Sequence, residues 1–142
     1  MIVAAIAGVL TALALPAISE VIRKERARGE VLAVADAVEE ARNAARVEAC
    51  TTLLTVNAAA ATVTVGPDPA DTDTHCVAMP SRVFAFNSTL ITLAAFNVSN
   101  PLVFNASGGI NAATHGLMTV TLAGGSTRTI EVWPATGAVR VK

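Results

Sequence analysis

The sequence predicts an α+β fold in which one long N-terminal helix packs on a C-terminal antiparallel β-sheet domain. Residues 1–19 carry no charge, residues 20–50 are charged and rich in helix formers, and residues 51–142 alternate β-branched runs with turn residues. The chain therefore divides into a helix over residues 1–50 and a β domain over residues 51–142. Within the helix, residues 1–19 form an apolar half and residues 20–50 an amphipathic half.

The composition excludes several classes of protein. The 142 residues have a net charge of −1, and only 15% of them are charged, against roughly 25% in an ordinary soluble domain. A basic nucleic-acid binder, an acidic tail protein and a disordered chain would all carry more charge or fewer apolar residues.

The apolar stretch is long enough to sit in a membrane. Its uncharged residues 1–19 would form a helix of roughly 28 Å, close to the ~30 Å hydrocarbon core. Three interpretations remain open: a cleaved secretory signal, a single-span anchor, and a membrane helix that later packs against copies of itself. No basic residue precedes the run, which disfavours a signal, whereas its many small residues favour packed helices.

Two further features mark this stretch. Pro16 removes a hydrogen bond to the carbonyl of Ala12 and is expected to kink or locally unwind the helix. A cluster of basic residues follows the stretch and would place the rest of the chain in the cytoplasm: Arg23, Lys24, Arg26 and Arg28.

Residues 19–50 continue the helix. They contain no proline, and the single glycine is Gly29. Apolar residues at three- and four-residue steps form one narrow stripe: Val31, Val34, Ala35, Val38, Ala41, Ala45 and Ala49. We therefore expect one helix of about 45–50 residues, with this stripe packed on the β domain.

Residues 51–142 predict six to eight antiparallel strands. The candidate segments are 52–57, 61–66, 82–86, 89–96, 101–104, 116–123, 127–133 and 138–142. Gly124-Gly125 predicts a hairpin turn between the sixth and seventh segments, and 134–137 predicts a second turn. Such a sheet buries one face, and the amphipathic helix is the obvious cover.

The order of residues in MIVAAIAGVLTALALPAIS, followed by a charged helix and a neutral β domain, resembles type IV pilins and type II secretion pseudopilins. The segments at 41–49, 102–111 and 127–142 are similar to the FimT/GspH-like branch of that family. This second resemblance depends on Phe104, Gly108, Gly109, Arg128, Ile130, Gly137 and Val139.

The chain departs from the family at its start. Mature family members begin with a short stretch that includes a glutamate, and their precursors carry a basic leader that prepilin peptidase removes. Neither feature precedes Met1. We expect that the sequence is truncated, and a leader would also reverse the orientation that the basic cluster favours.

The resemblance implies a structural subunit of an extracellular or periplasmic helical filament, held in the bacterial inner membrane before assembly. Its partners would be copies of itself, the pilus or secretion machinery and prepilin peptidase. The filament-core helix would use Met1, Ile2, Val3, Ala4, Ala5, Ile6, Ala7, Gly8, Val9, Leu10, Leu13, Leu15 and Pro16. The alternative is a minor tip pseudopilin of a type II secretion system or a FimT-like minor pilin for DNA uptake.

The two cysteines, Cys50 and Cys76, are expected to form a disulfide in an exported domain. The bond would close a loop of about 27 residues and stabilise the fold by roughly 3 kcal/mol. Two free thiols, or a catalytic or metal-binding role, are the alternatives.

The other chemical candidates are weak. His75 and His115 lack a zinc-ligand pattern, and the Asp68, Asp71 and Asp73 run lacks the glycine and glutamate of a calcium loop. We therefore expect a solvated acidic loop, no metal and no cofactor. No convergent acid, base and nucleophile set is visible, so a membrane-anchored enzyme is the least favoured hypothesis.

Two surface patterns remain. Asn-x-Ser/Thr triplets begin at Asn87, Asn97 and Asn105, and we interpret them as chance matches to the glycosylation pattern. A possible DNA contact would use Arg128, Arg140 and Lys142 near the last hairpin. Three charges make a small electrostatic footprint, so DNA is an unfavoured partner.

Overall fold

The computed structural model describes the backbone of residues 2–142 and the side-chain surroundings from Ile18 onward. One long helix, α1 (Ile2–Glu48), precedes eight strands and a one-turn helix within these residues. The later elements are β1 (Thr52–Asn57), β2 (Thr62–Pro67), α2 (Thr74–Val77), β3 (Arg82–Ala85), β4 (Ile91–Leu93), β5 (Leu102–Phe104), β6 (Gly116–Leu122), β7 (Thr127–Val132) and β8 (Val139–Val141). All eight predicted strands are confirmed, although the segment 89–96 narrows to the three residues of β4.

The strands form two four-stranded antiparallel sheets. Their orders are β3-β2-β1-β5 and β4-β6-β7-β8. Strand β5 lies far from β1 in the sequence, yet Leu102 pairs opposite Leu54. Helix α1 packs on strands of both sheets, so it covers the domain as predicted and also joins its two halves.

Alternation along the strands directs large side chains toward the helix. In the first sheet Leu54 lies opposite Val65 on one side and Leu102 on the other. In the second sheet Met118 lies opposite Ile130. These residues belong to one continuous core, whose largest fully buried members also include Phe104, Ile91, Val63, Val120 and Val132.

The helix meets this core through its predicted stripe. Every predicted stripe residue from Val31 to Ala45 is buried. Ala49 is exposed, so its inclusion in the stripe was wrong. The helix ends at Glu48, because Ala49 adopts a left-handed φ of 54° and the Cys50 N–H donates to the Ala45 carbonyl at 3.1 Å. This pattern closes the helix with a Schellman motif.

The two predicted turns are present. Gly124 and Gly125 both have positive φ, and the Gly125 N–H donates to the Leu122 carbonyl at 2.9 Å. The second turn is closed by the Gly137 N–H, which donates to the Trp133 carbonyl at 2.8 Å. These turns place β7 beside β6 and β8 beside β7, so that their inner residues join the core.

Candidate assembly surfaces

The predicted filament-core residues, Met1 to Pro16, lie outside the part of the chain whose side-chain surroundings the structure describes. Among the residues that are described, no helix contains an apolar stretch long enough to cross a membrane. The role assigned to residues 1–16 therefore stays a prediction.

Part of the helix lies exposed before the helix enters the core of the β domain. Residues 18–26 are all exposed, and Ala27, only 1% exposed, is the first buried residue among those described. Three apolar side chains in this segment face solvent: Ile18, Val21 and Ile22, at 55%, 60% and 47% exposure. The β domain leaves this surface open to other proteins.

Charges on the same segment are partly paired. Two ion pairs bridge neighbouring turns of the helix: Glu20–Lys24 at 2.8 Å and Glu25–Arg28 at 2.7 Å. The Lys24 ammonium lowers the pKa of the exposed Glu20 carboxyl below its ordinary value. Arg23 and Arg26 form no ion pair with any of the described residues. Arg23 contributes a weaker electrostatic attraction to the same Glu20 carboxyl.

A groove of about 1100 Å³ lies where α1 approaches β3. We call it the α1–β3 groove. Its lining includes Ile22, Arg23 and Arg26 from the helix and Val83 and Phe84 from the strand. Strand β3 is an edge strand and Val83 is 65% exposed, so apolar surface is open beside unpaired backbone groups.

Polar contacts spaced along α1 also fix the helix to both sheets of the domain. They are Glu30 Oε2 to the Asn87 N–H at 3.3 Å, the Glu40–Arg82 ion pair, and Arg42 Nε donating to the Thr136 carbonyl at 2.9 Å. Sequence reasoning missed these pairs, because each joins residues that are distant in the chain.

The predicted disulfide is confirmed: Cys50 and Cys76 are joined with an S–S distance of 2.01 Å. We call residues 67–73 the acidic loop. The disulfide ties the end of α1 to Cys76, which follows this loop. Each aspartate of this loop accepts a backbone N–H. These bonds run from Ala70 to Asp68 at 2.9 Å, from Asp73 to Asp71 at 3.1 Å, and from His75 to Asp73 at 2.9 Å.

The acidic loop has no basic partner among the described residues. His75 follows it, but the His75 ring lies 3.0 Å from a Glu48 oxygen instead. No group of potential metal ligands forms within the described part of the chain. Asp73 is exposed, and Asp68 and Asp71 are half-buried.

The predicted DNA-contact residues do not gather in one patch. Arg140 and Lys142 lie on the outer face of the second sheet, where Arg140 pairs opposite Glu131. Lys142 Nζ lies 2.8 Å from Glu131 Oε2, so this carboxylate neutralises its charge. Arg128 alternates to the inner face and lines a small cleft beside Leu32 of the helix.

The Glu131 carboxylate is only 6% exposed and is held from two sides. Besides Lys142, the ring nitrogen Nδ1 of His115 lies 2.8 Å from Oε1, and the His115 ring packs on Trp133 at 4.2 Å between centroids. The Lys142 ammonium, and secondly His115, hold the pKa of Glu131 below its ordinary 4.5, although burial opposes this. The cluster joins Lys142, which follows β8, to Glu131 of β7.

The Asn-x-Ser/Thr triplets have structural roles. Asn87 Oδ1 accepts the Thr89 N–H at 3.0 Å, and Asn105 Oδ1 accepts the Ser107 N–H at 3.1 Å. Asn97 Oδ1 accepts the Leu117 N–H at 2.6 Å. The first two bonds are the side-chain turns that asparagine forms with the backbone two residues on, whereas Asn97 joins a distant strand.

No family model and no curated protein matches the sequence. The structure is similar to two crystal structures of the type IV minor pilin FimU of Pseudomonas aeruginosa, each with a TM-score of 0.63. The sequence identities are 14% and 13%, over 81% of this chain and 87% and 91% of the FimU chains. The fold is therefore that of a type IV pilin, as the sequence predicts.

Proposed function

We propose that the chain is a structural subunit of a helical filament of the type IV pilus kind, at the cell surface or in the periplasm. The observation that supports this most is the division of α1. Its described residues 18–26 are exposed, whereas the helix from Ala27 to Ala45 is anchored in the core of the domain. A helix held at one end and exposed at the other suits assembly through the exposed end.

The assembly step follows from the chemistry of the apolar segment. Before assembly, residues 1–19 would lie in the inner membrane; afterwards they would pack against the same segment of other copies. Both surroundings are apolar, so the transfer changes little hydrophobic free energy, and close packing of residues such as Ala4, Ala7 and Gly8 must favour the filament. Local unwinding at Pro16 would let the helix adjust to its neighbours.

A minor subunit is the second candidate, because both similar crystal structures are of a minor pilin. The two roles differ in stoichiometry: immunogold labelling would decorate the whole length of a filament for a major subunit and only rare positions or tips for a minor one. A pseudopilin role in type II secretion would instead make secretion of the system's cargo depend on the chain.

A DNA-uptake role makes a separate prediction. It requires salt-dependent DNA binding that is lost when Arg128, Arg140 and Lys142 are replaced. We expect weak binding, because Glu131 neutralises Lys142 and Arg128 lies on the opposite face.

The proposed function is tested with the full chain expressed beside its assembly machinery. Filaments sheared from the cells should contain the chain, and replacement of Leu13 by arginine in the apolar helix should leave it in the membrane fraction or degraded. The matched control, Val47→Ala, alters a side chain that is 80% exposed on the domain half of α1 and should assemble normally. The proposal fails if the unaltered chain never enters the sheared fraction.

A further inference from the structure

The α1–β3 groove combines apolar and positive surface. Ile22 and Val83 are 47% and 65% exposed there, and Arg23 and Arg26 line its helical side. Among the described lining residues, the two arginines outnumber one carboxylate, Glu30, which accepts the backbone N–H of Asn87 at 3.3 Å. A complementary partner would therefore offer a small apolar surface flanked by negative charge.

The acidic loop has that composition. Pro69 and Ala70 are exposed at its tip, and Asp68, Asp71 and Asp73 flank them. Within the described residues none of the three aspartates forms an ion pair. Both surfaces therefore combine apolar residues with charge, and the charge of the loop is opposite in sign to that of the groove.

The loop is also held in one shape. The Asp71 N–H donates to the Asp68 carbonyl, and the Asp68 N–H donates to the Thr51 carbonyl, both at 3.1 Å. The disulfide then fixes Cys76 to the helix end at Cys50. Because the loop is already ordered, docking it would lose little conformational entropy.

The arginine end of the groove lies far from the acidic loop. Arg26 lines the groove and Glu48 ends the helix, and this separation of 22 residues along the helix spans roughly 33 Å. The other end of the groove lies nearer, because Val83 pairs opposite Thr64, three residues before the loop. The loop of one chain therefore cannot bring its aspartates to its own Arg23 and Arg26. An interface between two different patches of identical chains repeats head to tail and generates an open polymer.

We propose that the α1–β3 groove receives the acidic loop of a second copy of this chain. The inference rests on the proposed function in naming a second copy as the partner. The aspartates would pair with Arg23 and Arg26 at the edge of the contact, while Pro69 and Ala70 cover Ile22 and Val83.

Zero-length cross-linking tests the contact directly. The experiment uses the full chain with Arg26→Lys, a substitution that keeps the positive charge at position 26 and supplies an amine. Carbodiimide joins this amine to a carboxylate only where the two groups are in direct contact. An equal mixture of ¹⁴N- and ¹⁵N-labelled chains is treated both in sheared filaments and concentrated in detergent micelles. We expect mixed-isotope peptides that link position 26 to Asp68, Asp71 or Asp73, and their loss at about 1 M salt, where the Debye length is ~3 Å.

A charge swap supplies an independent readout. Arg23→Glu with Arg26→Glu should lower self-association roughly tenfold, as should Ala70→Lys with Thr72→Lys, whose side chains make no hydrogen bond that the substitution removes. Combining the two sets should restore association. The control reverses Asp36 and Glu39, exposed residues on the same helix that do not line the groove, and should change nothing.

The outcomes separate this inference from the filament role. Filaments that assemble while position 26 links to other carboxylates, or a charge swap that fails to restore association, overturn the inference and leave the filament role intact. Links from position 26 to a different protein would replace the second copy with that protein and also overturn the inference. Absence of the chain from filaments contradicts the proposed function. In that case the cross-links formed in detergent micelles still decide whether the groove of one copy contacts the acidic loop of another.

Discussion

Gly137 shows how one residue fixes the packing beneath the helix. Its φ of 62° is left-handed, and a β-carbon there would overlap the carbonyl oxygen of Gly108 and approach Cδ of Arg42 to 3.3 Å. Two loops therefore meet under α1 with no room for a side chain. This accounts for two of the glycines through which the sequence resembles the FimT/GspH-like branch.

Gly137→Ala should lower the free energy of unfolding by more than about 2 kcal/mol, because left-handed strain of about 1–2 kcal/mol adds to the steric overlap. Gly124→Ala is the matched control: it has a φ of 115° but open space around it, so only strain is introduced. Urea unfolding of the full chain in mild detergent measures both. Equal losses for the two variants would contradict the packing account.

Glu131 predicts a pH dependence of stability. Its pKa is lowered in the folded protein, so its stabilising contribution is complete above the ordinary value of 4.5 and is lost as the pH falls through the lower folded value. The unaltered protein should therefore have a larger free energy of unfolding than the Glu131→Gln variant at pH 6. This difference should shrink steadily below pH 4.5. Urea titrations of both proteins across this range test it; a difference that does not change with pH would contradict the pairing with Lys142.

At the scale of elements, the helix is held by its buried stripe. Val38 is 0% exposed and Val47, two and a half turns later on the same helix, is 80% exposed. Val38→Ala should cost about 2 kcal/mol through lost burial and a residual cavity, whereas Val47→Ala should change stability by less than about 0.5 kcal/mol. Thermal or urea unfolding compares the two variants. Similar losses of stability would contradict the burial of the stripe against the β domain.

The disulfide should stabilise the junction between α1 and the β domain. Replacing Cys50 and Cys76 together by serine should lower the free energy of unfolding by about 3 kcal/mol, since the open loop regains its freedom in the unfolded chain. Reducing the unaltered chain with a thiol supplies the control and should give a similar loss in urea titrations. A loss below about 1 kcal/mol in both experiments would be inconsistent with this role.

Local patterns predicted the elements well. The 3.6-residue period identified the stripe from Val31 to Ala45, and turn residues separated all eight strands. The predicted stripe wrongly included Ala49, because apolar periodicity does not report where a left-handed residue ends a helix. The cysteine pair was predicted from composition and compartment, and the structure confirms it.

At the scale of the whole molecule, the sequence could not predict what depends on long-range pairing. The division into two sheets follows from β5 joining β1, which no local pattern reports. The register of β7 with β8 then places Arg128 on the face opposite to Arg140 and Lys142. The α1–β3 groove likewise exists only because the helix passes an edge strand that lies far along the chain.

The division of charge along the whole chain agrees with assembly in one direction. Arg23 and Arg26, which form no ion pair with any described residue, lie on the exposed part of α1. The aspartates of the acidic loop lie near the other end of the helix, where the disulfide joins it. A chain with such unlike ends joins copies head to tail more readily than face to face. The apolar segment would then supply most of the contact and the charges its register.

The central claim is that residues 1–19 pack against the same segment of neighbouring subunits. The most direct measurement places a photoreactive side chain at position 10, in place of Leu10, in the full chain expressed with its assembly machinery. After illumination of sheared filaments, mass spectrometry identifies the peptide joined to position 10. The account predicts an apolar N-terminal peptide of another filament subunit; filaments that carry the chain while position 10 joins only lipid or the β domain would contradict it.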